Sequence, residues 1–408
     1  MKIFKVMVAM VLILVSTGFL FANAQAEENS ERVLKLVGWS SSPQEKAYVQ
    51  SRIDFFESEN PGVTVDWEVL INEYNETLQI QIASGKGPDV FYVDASWASM
   101  FIENNALQPI DQYITDAVTD SFYPSTLAAF EGNGNIYGLA KDMNTLVLYY
   151  DQAAFDKYGM EVPTTWNELI TTSLKFAKTD EYEAGIVLRT DFARFYPFIL
   201  QNSGSILDSE GNPNWTDPAV VEAFDFYFNK LIGSGAAKTN KDFNGENEGA
   251  FTTKKVPMMI SGGWATGYLK ENGTELDWIM TKLPMGKTQH TVLFTVAYVL
   301  SKNANDPELG AHFIDFMTSE KSQRMVVDSG LAVPTRKAVA DYYIEKNPLF
   351  GANPEQAKNA TVYNLGVHTP KISDLMTAAG EKIRLLGLNP QKALEEAEQE
   401  FNDYLDTL

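Results

Sequence analysis

Three tryptophans, each placed just beyond a short apolar run, are the residues best suited to chemistry in this chain: Trp39, Trp97 and Trp264. Near them in the same kind of position stand Asp94, Asn144 and Asp191, which accept hydrogen bonds, and Arg189 and Arg336, which donate them. Ser41 lies in a serine triplet after the first apolar run, and Gly263 precedes Trp264, where a backbone N–H could approach a ligand. Indole faces bury apolar C–H surfaces, while Asp, Asn and Arg satisfy hydroxyls that both donate and accept. Such a set suits a polyhydroxylated ligand.

Other chemistries lack their residues. The three histidines, His290, His312 and His368, are far apart, and no H-E-x-x-H, Walker A or G-x-S-x-G pattern occurs. There is no cysteine, which excludes disulfides, thiolate metal sites, cysteine nucleophiles and a lipid-modified N-terminal cysteine. Residues 208–217 are rich in Asp and Asn. Their glycine is misplaced for a calcium loop, and a hairpin ending in an Asp217-Pro218 helix cap explains them better. No metal and no cofactor is expected. Carboxylates are abundant, so a two-carboxylate glycosidase and a receptor for a cationic solute such as a polyamine both stay open at this point.

The elements that must position these residues can be read from periodicity and punctuation. Residues 33–39 form a first strand that leaves its sheet at Gly38. A helix follows from Pro43, with serines 40–42 as either its cap or a set of hydroxyl donors. Residues 63–69 alternate with period two and form a second strand. The organising stretch is 81–94, QIASGKGPDVFYVD. A helix ends there, Gly85-Lys86-Gly87-Pro88 turns the chain, and Val90–Val93 run as a buried strand ending at Asp94. This β-α-β-α-β order starts a parallel sheet, in which ligands sit beyond the carboxyl ends of strands.

Further on, residues 132–139 read as a hairpin turn and a strand, and 145–150 as another strand. The polar 141–144 between them suggests a passage between two lobes, with Asp142 and Asn144 both able to face a cleft. Thr165 reads as a helix cap and Trp166 as packing. Short strands are expected at 184–189, 256–260, 277–283 and 292–300, with helices at 197–201, 219–232 and after Asp306. The remainder from Lys337 reads as helical, with an irregular segment at 366–371.

Length and composition agree with a two-lobed globular protein. A chain of 408 residues exceeds what one core usually supports, and 45% hydrophobic with 12% aromatic content is ample for packing. A net charge of −22 repels phosphate backbones and anionic lipid, so no nucleic-acid partner is expected. Residues 1–26 have the basic, apolar and small-x-small regions of a cleaved signal peptide.

The segment A-S-G-x-G-P-D-V-F at 83–91, followed by Asp94 and Trp97, resembles family 1 of the extracellular solute-binding proteins of bacterial ABC importers, in the sugar-binding branch that includes maltose-binding protein. Residues 149–169 and 258–268 carry the same resemblance. It implies an α/β, two-lobed periplasmic-binding-protein fold of type II, each lobe a sheet flanked by helices, with the ligand cleft between lobes. It implies a first lobe of 27–140 plus 291–335 and a second of 145–285 plus 337–408, joined by crossings near 141–144, 286–290 and 334–336. It further implies a monomeric, non-catalytic receptor, periplasmic or secreted, that hands a mono- or oligosaccharide to ABC permease subunits. Its binding residues would be Trp39, Ser41, Asp94, Trp97, Asn144, Arg189, Asp191, Gly263, Trp264 and Arg336.

Overall fold

The computed structural model describes residues 32–408 apart from 41, 72, 331, 349 and 350. The expected signal segment and the candidate Ser41 lie outside the described residues.

The chain opens with strand β1 (Arg32–Gly38), helix α1 (Pro43–Glu59), strand β2 (Val63–Val69), helix α2 (Tyr74–Ala83), strand β3 (Val90–Asp94) and helix α3 (Ala95–Glu103). The local reasons are those of the sequence. Ser42 caps α1 by accepting from the Glu45 N–H, Pro43 takes the first helical position, and Val49, Ile53 and Phe56 form the buried stripe. Gly85 turns the chain out of α2 with φ of 71°. β1 runs parallel to both β2 and β3.

A long strand, β4 (Gly138–Asp151), comes next, after a two-residue hairpin turn at Asn133-Gly134. Then follow helix α4 (Trp166–Phe176), strand β5 (Ile186–Leu188), helix α5 (Phe192–Gln201), strand β6 (Ala237–Thr239), strand β7 (Met258–Gly262), helix α6 (Ala265–Asn272) and strand β8 (Trp278–Thr281). Strand β9 (Thr291–Leu300) is the second long strand. Helices α7 (Pro307–Thr318) and α8 (Glu320–Ser329), strand β10 (Ala360–Val362), and helices α9 (Thr369–Leu386) and α10 (Pro390–Leu405) complete the set used below.

The strands join in the order β2-β1-β3-β9-β4-β7-β5-β6, with β8 also on β4 and β10 on β9. Two parallel groups, β2-β1-β3 and β7-β5-β6, are thus bridged by an antiparallel pair, β9 and β4. Each of the long strands serves both groups. The last half of β9 pairs with β3, and residues 146–150 of β4 pair with β7. Apolar residues cover both faces of each group. Leu36, Phe56, Tyr92 and Phe313 pack on one face of the first, and Phe91, Phe101 and Phe130 on the other. Leu148, Phe176, Phe195 and Phe228 pack on one face of the second, and Tyr149, Phe251 and Met259 on the other. Each such buried side chain contributes about 1.5–3 kcal/mol relative to exposure.

Several elements differ from the sequence expectation. Residues 141–144 do not interrupt the strand. β9 supplies ladder partners on one side throughout, and a register shift opposite Val296 and Ala297 absorbs Lys141 as an extra residue. Residues 285–290 fold back on α4 and α5, where the Trp166 N–H donates to the Met285 carbonyl and the Thr288 N–H to that of Gln201. β9 itself pairs with β3 of one group and with β4 along its length. Residues 333–335 are laid along β4: Met143 bridges Val333, and the Thr335 hydroxyl donates to the Ala140 carbonyl at 2.6 Å. α5 begins at Phe192 and accommodates Pro197 within it. The tail contains a strand, β10, because Ala360–Val362 find an open ladder position beside the start of β9.

Candidate functional site

A cavity of about 350 Å³ opens where the carboxyl ends of the two parallel groups face each other. Two glycines set its two tryptophans. A Cβ on Gly38 would come within 2.7 Å of the Tyr92 ring, so only glycine lets β1 pass over that ring before Trp39. Trp39 then lies edge-on to Tyr74 and Tyr92, with centroids 4.7 and 5.3 Å away. On the opposite wall a Cβ on Gly262 would come within 2.2 Å of the Trp264 indole. That ring therefore folds back over the end of β7, edge-on to Phe294 at 5.6 Å.

The first wall also carries Asp94, at the end of β3. Its Oδ1 caps α3, accepting from the Ser96 N–H at 2.9 Å and the Ser96 hydroxyl at 2.5 Å. Burial raises the Asp94 carboxyl above its ordinary range, opposed by the Ser96 hydrogen bonds and by Arg194. Glu45 and Tyr48 come from the first turns of α1. The floor is β4. Asp142 and Asn144 share a face by strand periodicity, and the bulge turns Lys141 toward them as well. Lys141 is 2% exposed, ion-paired with Asp142, 3.9 Å from Glu45 and 5.1 Å above the Tyr92 ring. The Asp142 carboxylate holds the Lys141 ammonium charged against the desolvation of its site. Asn144 is the notable member: its Oδ1 is buried and has no protein hydrogen-bond partner.

The second wall is Trp264, Arg194 from α5 and Tyr363, which follows β10. The Arg194 guanidinium sits 5.1 Å from the Trp264 centroid and 5.0 Å from that of Phe294, with Asp191 at 3.7 Å. Tyr363 shares its hydroxyl with Ser373 at 2.5 Å.

Of the residues expected from sequence, the fold brings Trp39, Asp94, Asn144 and Trp264 together. Trp97 and Asp191 line an adjoining depression instead. Arg189 does not reach the cavity, because its Nε donates to Asp191 at 2.8 Å. Arg194, three residues after Asp191 on the same helix, supplies the guanidinium in its place. Gly263 presents a carbonyl to Thr266, at 2.7 Å from Oγ1, and its neighbour Gly262 makes room for the indole. Arg336 is not among the residues lining the cavity. It is 5% exposed, donates to the Thr318 and Val118 carbonyls and to Ser121, and lies 4.2 Å over Phe122. Lys141, Arg194, Phe294 and Tyr363 were not legible as site residues. The signal nearest to one was a charged Lys-Asp pair inside an otherwise apolar run.

The model of a family described as bacterial extracellular solute-binding protein matches residues 39–324. This chain belongs to the bacterial extracellular solute-binding protein family. A binding protein of Brucella abortus is 25% identical over 84% of this chain and 86% of its own length. A maltotriose-binding protein of Pyrococcus abyssi is 29% identical over 61% of this chain and 53% of its own length. Among solved structures, an ABC substrate-binding protein of Listeria monocytogenes in complex with cycloalternan superposes with a TM-score of 0.85 at 23% identity. The match covers 92% of this chain and all of that one, which places the architecture among two-lobed solute-binding proteins. Among the described residues no helix is long and apolar enough to cross a membrane.

Proposed function

We propose that this chain is the substrate-binding component of an ABC transporter and captures a sugar in the cavity between its two strand groups. The observation that carries the reading is Asn144. A buried amide oxygen without a protein partner is unfavourable by about 1–3 kcal/mol, and a ligand hydroxyl relieves it. Around it stand the complements a sugar needs: Trp264 and Trp39 for C–H faces, Asp94 and Arg194 for hydroxyls. Asp94 Oδ1 is occupied by the α3 cap, so Oδ2 is the oxygen a ligand hydroxyl would meet.

The lobes turn on β4 near Asp142–Asn144, on β9 near Phe294–Val296 and on the 333–336 segment. A ligand touching both walls stabilises the closed arrangement by its additional contacts there. In this reading binding occurs without turnover, with Asp94 Oδ1 held as the α3 cap and Asp142 as partner to Lys141. The protein acts as a monomer outside the cytoplasmic membrane, with residues 1–26 removed on export, and docks to permease subunits rather than to nucleic acid.

Thermal melting against a panel of sugars tests the reading, because a bound ligand raises stability as RT ln(1 + [L]/Kd). A rise with at least one sugar, and no product after prolonged incubation, is expected. Stabilisation by polyamines alone, or sugar cleavage, would contradict it.

A further inference from the structure

Three Asn-Gly pairs occur in the chain: Asn133-Gly134, Asn244-Gly245 and Asn272-Gly273. A glycine leaves the nitrogen after an asparagine unshielded, so the backbone can attack the side-chain amide before it. The attack needs an untied Gly N–H and an untied amide, and the fold decides which pair has both. All three asparagines are exposed. At the end of α6 both groups are tied. The Gly273 N–H donates to the Leu269 carbonyl at 2.8 Å, and the Asn272 amide to that of Tyr268 at 3.1 Å. After Asn244 the Gly245 N–H donates to the Asn240 carbonyl at 2.8 Å. Asn133-Gly134 differs. This pair is the two-residue hairpin turn, with φ of 52° and 76°, and Glu131 and Gly132 pair with Ile136 and Asn135 beside it. Neither the Gly134 N–H nor the Asn133 amide has a hydrogen-bond partner among the described residues. A Cβ on Gly134 would meet nothing within 4 Å, so the turn is open on that side.

We infer that Asn133 is a site of spontaneous modification, deamidating through a cyclic imide formed with the Gly134 nitrogen. That nitrogen gives its proton to solvent hydroxide and bonds to Asn133 Cγ. The Cγ–Nδ2 bond breaks, and ammonia leaves with a proton taken from water. Water then adds to one of the two imide carbonyls. Opening at Cγ gives aspartate. Opening at the backbone carbonyl gives isoaspartate, in which the chain runs through the side-chain carbons. One water enters and one ammonia leaves, and no oxidant or reductant is needed. Either product adds a negative charge two residues from Glu131. Isoaspartate also lengthens the turn by one backbone atom, which loosens the pairing of Gly132 with Asn135. Phe130 and Tyr137 confine the change to the turn. Both are buried, and the Tyr137 N–H donates to the Phe130 carbonyl at 3.0 Å.

The test is peptide mapping by mass spectrometry of the whole mature chain, aged in mildly alkaline buffer as the folded protein and, in parallel, in denaturant. In the folded protein the peptide holding Asn133 should gain about 1 Da at a rate about fivefold or more above that at Asn244, with Asn272 slowest, because one and then two hydrogen bonds must break first. Aspartate and isoaspartate should both appear, which marks the imide route. In denaturant the three rates should converge, because the same Asn-Gly pair is then free at each place. An Asn133 that stays intact, or that deamidates no faster than Asn244 or Asn272 in the folded protein, would overturn the assignment. So would aspartate without isoaspartate. The same ranking and spread in denaturant would also overturn it, since the fold would then have no part in the choice.

Discussion

Asp94 serves two masters, the α3 cap and the cleft, and its charge is held in a site that disfavours it. With the carboxyl raised by burial, the folded state binds more protons than the unfolded state over the interval between the two values. The charged form therefore subtracts from stability as pH rises above the ordinary Asp range. Asn also caps helices well. Asp94→Asn should raise the melting temperature of the unliganded protein at pH 7, with the gain vanishing below about pH 4, while sugar affinity falls by about 1–3 kcal/mol. Melting curves at both pH values and calorimetry read the two effects separately; a fall in stability at pH 7 would count against the argument. Arg336 makes the opposite forecast. Arg336→Met should cost about 2–4 kcal/mol of stability, since at least two carbonyls lose their donor, and should leave the ligand affinity of the folded protein unchanged. Weakened binding by a fully folded variant would restore Arg336 to the site. At this scale the sequence showed which residue types were available but not which of two neighbours reached the cavity. Arg189 and Arg194 flank Asp191 in the chain, and only the turn of α5 decides between them.

The elements were more legible. Period-two alternation and Gly/Pro punctuation disclosed β1, β2 and β3, and local chemistry disclosed the caps at Ser42, Thr165, Asp217 and Asp306. What escaped was non-local. The continuity of β4 through Lys141–Asn144 depends on β9, about 150 residues away in sequence, and β10 exists only because β9 leaves an edge open. Two elements outside the cavity also touch across the cleft. The Gln44 amide at the start of α1 donates to Glu271 of α6 at 2.7 Å. If closure is the functional motion, this bond belongs to the closed arrangement. Gln44→Ala should then weaken sugar binding about two- to tenfold, mainly through faster release, without touching the ligand. Stopped-flow dissociation measures it, and an unchanged rate would show the contact to be incidental. Gly262→Ala should be harsher, because its Cβ would displace the indole; loss of binding with a retained fold is the expected result.

At the scale of the whole molecule two parallel strand groups share two antiparallel strands, and the cavity opens where their carboxyl ends meet. The two-lobed architecture followed from chain length and from the resemblance at 83–97. That β9 and β4 pair with each other, and each with one of the groups, did not, since a strand that bridges two groups looks in sequence like any other apolar strand. A saturating sugar should shrink the radius of gyration in solution scattering, and an unchanged value would count against lobe closure. The most direct test concerns Trp264, which stands at the cavity wall between Arg194 and Phe294. The measurement is calorimetric titration of Trp264→Ala with the sugar that stabilises the parent protein, beside melting of both unliganded forms. The account predicts a loss of about 2–4 kcal/mol in binding, as for an interface hot spot, with the unliganded melting temperature little changed. A sharply lowered melting temperature with undiminished sugar affinity would show that Trp264 serves the core, and that the site lies elsewhere.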